Sequence, residues 1–327
     1  MKTLSAARFA VFAFSTCAVL CAGPGFAQDY PNRPIHMIVA YSAGGTGDVV
    51  ARILSDKLGP ALGQSIVVEN RAGASGNIGA RTVATAAPDG YMLLLGQTAE
   101  ISINQHWMKD VGFDADKDLK PIALAAVVPL ALVVPASAPY STMADYLAFL
   151  KSGKPSTFAS AGTGTPGHFA GELLRLRTKA NMTHVPYKGA GPALNDLVGA
   201  HVDMYFPGFP AVTPLMKAGS LKLLAVSSAT RAPSAPDVPT VAEVSGIKNF
   251  DFTLWGGVFA PHGTPDVVVK RLNTEINKIL SSDEIKKKFA DLGAEIRIMS
   301  IVEVTAFAKS ESEKYVGVIK ETGAKPE

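Results

Sequence analysis

Ala40-Tyr41-Ser42-Ala43-Gly44-Gly45-Thr46-Gly47-Asp48 joins an apolar run to an amphipathic one through a turn almost free of side chains. Residues 35–40 read as a buried strand, while Val49, Ile53, Leu54, Leu58 and Leu62 recur at helical spacing. The turn therefore sits at a helix N-terminus, with Thr46 the predicted N-cap. A helix start presents N–H groups that lack an intrahelical acceptor, together with the positive end of the macrodipole, so a small carboxylate or phosphate suits it. A tight strand-to-helix turn using glycine at positive φ produces the same pattern for purely structural reasons.

The same unit recurs outward from this turn: a short strand, a glycine-containing turn, an amphipathic helix. That rhythm predicts an α/β fold with largely parallel sheets. Residues 65–69 and 91–95 read as strands, the latter opening onto Gln97, Thr98 and Ala99, and 78–86 as a helix. The apolar stretch 119–135 holds Pro121 and Pro129, so it reads as two strands rather than one helix. After a helix at 140–150, strand 156–161 leads into a second glycine turn, Gly162-Thr163-Gly164-Thr165-Pro166-Gly167-His168, with Ser160 just before it. Thr165 followed by Pro166 is a helix-start signal. Strands at 183–187, 201–206, 222–227 and 250–260 and helices near 193–198, 211–218, 265–280 and 283–292 complete the pattern. An early and a late segment flanking an internal one predict two lobes, 28–128 with 250–327 and 129–249. Their glycine turns would face each other and clamp an anion from both sides.

The first residues are set apart from the fold. Lys2 and Arg8 precede an apolar run that ends in Gly25-Phe26-Ala27, the pattern of a secretory signal peptide spanning 1–27. Both cysteines, Cys17 and Cys21, lie inside it, so the exported chain is expected to lack disulfides and thiolate sites. Without the leader, 29 basic residues stand against 28 acidic ones. A net charge of +1 is no invitation to nucleic acid or an acidic membrane.

Patterns for catalysis are weak. Gly162, Gly164 and Gly167 match G-x-G-x-x-G, which makes an exported dinucleotide-dependent oxidoreductase the rival reading. Residues 183–187 carry no acid to hold a ribose, however, and Pro166 is foreign to that helix start. The six histidines lack metal-ligand spacing, and no metal or cofactor is expected. His168 is kept as a candidate because it lies in the first turn behind the second glycine loop. Asp48 reads as a dipole partner of its helix or as a contact for a ligand amine. Glu100 follows a core strand at the end where α/β folds bind ligands; beside an anion it must point away, be neutral, or select a hydroxyl, water or cation. Lys188 is open between a ligand contact and a solvated charge, and Trp255 between ligand wall and core.

A family resemblance follows from several motifs together. They are Tyr30-Pro31 with Arg33-Pro34-Ile35, Ala43-Gly44-Gly45 with Asp48, Val67-Val68-Glu69-Asn70-Arg71 and Gly76-Asn77-Ile78-Gly79, then Gly164-Thr165-Pro166 with His168, Val185-Pro186-Tyr187-Lys188-Gly189 and Val202-Asp203. This set resembles the solute-binding proteins of tripartite tricarboxylate transporters, the Bordetella uptake family. The resemblance implies a two-lobed periplasmic binding protein of type II, each lobe a mixed sheet flanked by helices. It implies a monomer that closes on a small organic carboxylate, delivers it to membrane permease subunits, and has no enzymatic activity. The implied ligand-binding residues are Tyr41, Ser42, Ala43, Gly44, Gly45 and Thr46 in the first loop and Gln97, Thr98 and Ala99 in the next. Ser160, Gly162, Thr163, Gly164, Thr165, Pro166, His168, Tyr187, Asp203 and Phe209 complete them in the second lobe. Thr98-Ala99-Glu100-Ile101 departs from the small-Thr-His pattern common in the family, so citrate or an amino acid is not carried over as ligand. Tyr41, Phe209 and Trp255 suggest a dicarboxylate or an aromatic carboxylate such as terephthalate.

Overall fold

The computed structural model describes residues 30–325; the expected leader 1–27 and both cysteines lie outside the described residues. The described residues form ten strands: β1 (Ile35–Val39), β2 (Ile66–Asn70), β3 (Met92–Gln97), β4 (Leu119–Pro129), β5 (Ala131–Pro135), β6 (Ser156–Ser160), β7 (Met182–Pro186), β8 (Met204–Tyr205), β9 (Leu221–Val226) and β10 (Thr253–Pro261). They form two five-stranded sheets, ordered β2-β1-β3-β10-β4 and β7-β6-β8-β5-β9. In each sheet the first glycine-turn strand, β1 or β6, lies between two parallel neighbours, and the other two strands are antiparallel. The order reverses beside β1 and β6, which is where open α/β sheets leave a crevice at the strands' carboxyl ends. β1 is apolar almost throughout because both of its faces are covered, as parallel strands require.

The helix Thr46–Leu62 lays Val50, Ile53, Leu54 and Leu58 on the first sheet and stops at Gly63, which takes a left-handed φ of 71° and donates to the Gly59 and Pro60 carbonyls. Its N-cap is Gly45, not Thr46 as predicted: Thr46 is already helical, and its hydroxyl reaches the Gly208 carbonyl at 3.4 Å. The strand predicted over 201–206 shortens to two residues. Asp203 explains this, because its carboxylate takes the Thr157 N–H (2.7 Å) and hydroxyl (2.9 Å) at the point where a longer β6–β8 ladder would run.

The sequence reading missed the helix Ile301–Thr322, whose start has a complete capping box between Ser300 and Glu303 and whose end is Gly323 in the left-handed region. Both signals are legible in the chain. Phe307 of this helix packs edge-on against Trp255 in the first sheet's core, while Tyr315 belongs to the second sheet's core beside Phe169. Short helices at Asn104–Trp107, Ala115–Asp118 and Val241–Ser245 were also unforeseen. Among the described residues, no helix is long and apolar enough to cross a membrane.

The chain passes between the sheets at Leu130 and returns between Val226 and Thr253. One buried residue ties these crossings together. Ser227 donates its N–H to the Leu130 carbonyl (2.9 Å), accepts the Leu130 N–H on Oγ (3.0 Å), donates Oγ–H to the Phe252 carbonyl (2.5 Å), and accepts the Phe252 N–H (3.0 Å). Ser227→Ala strands a buried donor and a buried acceptor, each costing about 1–3 kcal/mol. The expected outcome is a lowered urea midpoint with an unchanged slope, corresponding to ~2 kcal/mol or more.

Candidate ligand-binding cleft

Four helices begin around one cavity. Thr46–Leu62 comes from the first sheet's side; Pro166–Thr178, Ala190–Val198 and Phe209–Lys217 come from the second's. None of their N-cap residues, Gly45, Thr165, Gly189 and Gly208, supplies a side-chain cap. Elsewhere Asp114, Thr142, Thr240 and Ser300 do, while Gly76, Pro265 and Ser282 start helices without one. The first-turn N–H groups around the cavity thus have no side-chain cap, although Pro166 and Pro210 carry no N–H.

The cavity encloses about 510 Å³ of non-atom space, including its opening to solvent. Gly45, Thr46, Gln97, Thr98 and Ala99 line it from one side and Thr165 and Pro166 from the other, with Tyr41 at the edge. No charged side chain and no histidine is among the lining residues. Apolar cover comes from Leu130, Phe206 and Leu254, and Tyr205, Ala190 and Gly208 complete the wall. Sequence reading missed these residues. A usable signal existed for Ala190, in the turn Lys188-Gly189-Ala190-Gly191; Leu130 and Leu254 sit at the crossings, where only the topology shows what they face.

The other expected residues are placed differently. Gly162, Thr163 and Tyr187 line a neighbouring space, shared with Tyr41 and Ala161, into which Lys188 also projects. Ala43 and Gly44 are exposed. Ser42 packs its hydroxyl against Gly189, and Ser160 is fully buried, bonding its own Gly162 turn and His184 Nε2 at 2.7 Å. Asp203 is held by Thr157, and Phe209 is buried against Gly293, outside the cavity. His168 turns into the core: its Nδ1 accepts the Gly164 N–H at 3.1 Å, and its ring lies 4.2 Å from that of His184. Burial, and then the Arg175 charge, pull its pKa down to about 4, so it is neutral and shapes the turn rather than meeting an anion. Asp48 likewise serves its own loop. Burial alone would raise its pKa, but bonds from Arg52, the Gly44 N–H and Asn70 bring it below the ordinary carboxylate value.

The two sheets' loops meet at close range. Ser75 Oγ donates to the Thr163 carbonyl at 2.6 Å, from a residue whose φ of 49° is unusual for a side-chain-bearing residue. A Cβ at Gly191 would stand 2.6 Å from the Ala43 carbonyl, and one at Gly208 2.5 Å from Thr46 Oγ1. Glycine at these positions is what permits the approach.

Behind the cavity, Glu100 is fully buried. Burial pushes its carboxyl up to about 8, against bonds from its own N–H, the Gln97 N–H and Tyr41 that favour the anion. Tyr41 Oη lies 2.9 Å from the Ser75 carbonyl and 3.1 Å from Glu100 Oε2. A phenol has one proton, and a carbonyl can only accept. A protonated Glu100 donating to Tyr41, with Tyr41 donating to Ser75, gives every proton one acceptor. Because the folded pKa lies above the unfolded 4.5, this contribution to stability is full below 4.5 and lost as pH rises through about 8. Glu100→Gln reproduces the neutral form. Between about pH 5 and about pH 9, urea unfolding should show a shallower fall in stability for the variant than for the parent.

Comparison with known proteins converges on one group. The family model described as the tripartite tricarboxylate transporter family receptor matches residues 50–324. BugT of Bordetella pertussis is 38% identical over 307 residues, covering 93% of this chain and 94% of BugT. The periplasmic binding protein BugD superposes with a TM-score of 0.86 at 34% identity, over 91% of this chain and 100% of that one. An R. palustris protein solved with adipate superposes with a TM-score of 0.88 at 34% identity, with the same coverage. The two mixed sheets are those of a periplasmic binding protein, and the chain belongs to the tripartite tricarboxylate transporter receptor family.

Proposed function

We propose that this chain captures a small organic carboxylate between two lobes in the periplasm, after removal of the 1–27 leader, and hands it as a monomer to the membrane subunits of a tripartite tricarboxylate-type transporter. The lobes correspond to the two sheets. The observation that carries this reading is the convergence of four uncapped helix starts, from both sheets, on one cavity lined by no charged side chain. Backbone N–H groups and helix dipoles can hold a carboxylate there without a counter-charge. A ligand touching both sheets favours the closed arrangement by the difference in its contacts between open and closed states.

A dicarboxylate is the finer reading, supported by the adipate found with the R. palustris relative. For an aromatic carboxylate such as terephthalate the support changes. Trp255 and Phe209 are buried outside the cavity, and the aromatic walls are instead Tyr41, Tyr205 and Phe206.

A thermal-shift screen of the leaderless protein against dicarboxylates, tricarboxylates, acidic amino acids and aromatic carboxylates tests the class. A ligand at a hundredfold excess over its Kd should add about 2.7 kcal/mol of stability. A shift with a dinucleotide and with no carboxylate would replace the receptor reading by the oxidoreductase one. Closure has its own test in Gly191→Ala. Alanine suits a helix better than glycine by about 1 kcal/mol, so the ligand-free melting temperature should hold or rise. The added methyl would stand 2.6 Å from the Ala43 carbonyl in the arrangement described above, so it disfavours that arrangement, and ligand affinity should fall, as read by calorimetry.

A further inference from the structure

We infer that the turn Gly162-Thr163-Gly164 is a socket for loops carried by the other sheet, and that Ser75 is the positioning residue that latches the cleft shut through it. The inference rests on the receptor reading above and adds to it the device that holds a captured ligand in place.

The turn follows β6, and its two glycines take φ values of 144° and 85°, which favour glycine. Both also make room for the first sheet's loops. A Cβ at Gly162 would stand 2.7 Å from Ser75 Oγ, and one at Gly164 2.8 Å from Trp107 Cδ1. Ser75 lies in the loop after β2, and Trp107 ends the short helix Asn104–Trp107 between β3 and β4. Yet Trp107 is seated in the second sheet's core, edge-on to Phe169 with ring centroids 5.0 Å apart and 5.9 Å from the His168 ring. The glycine spacing that matches a dinucleotide turn therefore serves contact between the two sheets' loops.

The socket is braced so that one acceptor faces across. The Gly162 carbonyl takes the Ser160 and Thr165 hydroxyls, while the Gly162 and Gly164 N–H groups go to Ser160 Oγ and His168 Nδ1. The Thr163 carbonyl takes the Ser75 hydroxyl at 2.6 Å. Ser75 is fixed on its own side as well, since its carbonyl accepts from Tyr41 Oη and Asn104 Nδ2, each at 2.9 Å. Ala74 and Ser75 take φ values of 45° and 49°, a conformation that residues with a Cβ keep only where their surroundings hold it. The hydroxyl bond is the part of that hold supplied by the other sheet. It forms only with the loops together, so it favours the closed arrangement alone. Tyr41 lines the cleft and bonds Ser75, so the cavity wall and the latch share a residue.

The leaderless protein is titrated by calorimetry with succinate, adipate, citrate, glutamate and terephthalate, and the tightest binder becomes the probe. Ser75→Ala keeps the Cβ and removes only the hydroxyl. It should release the probe about fivefold faster in stopped-flow, the scale of one neutral hydrogen bond, with association rate and ligand-free melting temperature as in the parent. A merely structural serine would lower that melting temperature and leave the off-rate alone. The approach of the loops has its own test, because a Cβ built at Gly162 lies 3.5 Å from Ser75 Cβ, within reach of a disulfide. Both natural cysteines fall in the expected leader, so Ser75→Cys combined with Gly162→Cys meets no competing thiol. This double variant should cross-link faster with the probe bound than without it, and then retain the probe until a reductant is added. An unchanged off-rate in Ser75→Ala, or cross-linking at one rate with and without the probe, overturns the latch and leaves the receptor reading intact. Binding of no carboxylate by the parent overturns both. Should the double variant fail to fold by circular dichroism, the off-rate of Ser75→Ala still decides.

Discussion

The structure depends on bringing several helix N-termini to one point. Each start carries N–H groups without an intrahelical acceptor and a partial positive charge, so four of them together favour an anion between them. In most helices this is avoided with a serine, threonine, asparagine or aspartate cap, and this chain does so at Thr142, Thr240 and Ser300. Around the cavity it uses Gly45, Gly189, Gly208 and a Thr165 whose hydroxyl is turned to its own loop. Uncapped starts also occur away from the cavity, at Gly76, Pro265 and Ser282, so what marks the cavity is that four of them converge on it.

That arrangement places demands on the rest of the fold. The helix starts can converge only if the loops before them come close, which accounts for Gly191 against Ala43 and Gly208 against Thr46. The loops hold their shape through bonds aimed away from the cavity. His168 steadies the Gly164 turn, Asp48 the Gly44 turn, and the Glu100–Tyr41 pair the Ser75 segment. These polar residues, which look like ligand contacts in one dimension, form the support of a site whose own surface is mostly backbone and apolar carbon. The two sheets are tied together by Ser227 at the crossings and by the long C-terminal helix, which packs on both cores.

Much of this was legible in the chain. The strand-turn-helix rhythm follows from residues at spacings of two and of about 3.6, and the two glycine turns announced helix starts because strand β-branching, glycine and helical periodicity adjoin within a few residues. The break at Pro129 between two strands was visible for the same local reason. The helix from Ile301 is equally legible through Ser300, Glu303 and Gly323.

Local pattern determines which segments become strands and helices, since those choices rest on neighbours within a turn or a pleat. It does not determine which of two polar residues in one loop faces a cavity. Thr165 lines it while His168, three residues on, is in the core; Gln97 lines it while Glu100 lies behind. Helix phase and long-range packing set those orientations, through partners such as His184 and Tyr41 that stand far away in the chain. Tyr205 is the clearest case. As part of a two-residue strand in an apolar stretch it looks like core, and only its pairing opposite Val133 and Ala159 places it in the cavity wall. The sequence by itself determined the elements and the family; the tertiary structure decided which donors are left for a ligand, because an unsatisfied hydrogen bond is a property of everything around a group and not of the residue that carries it.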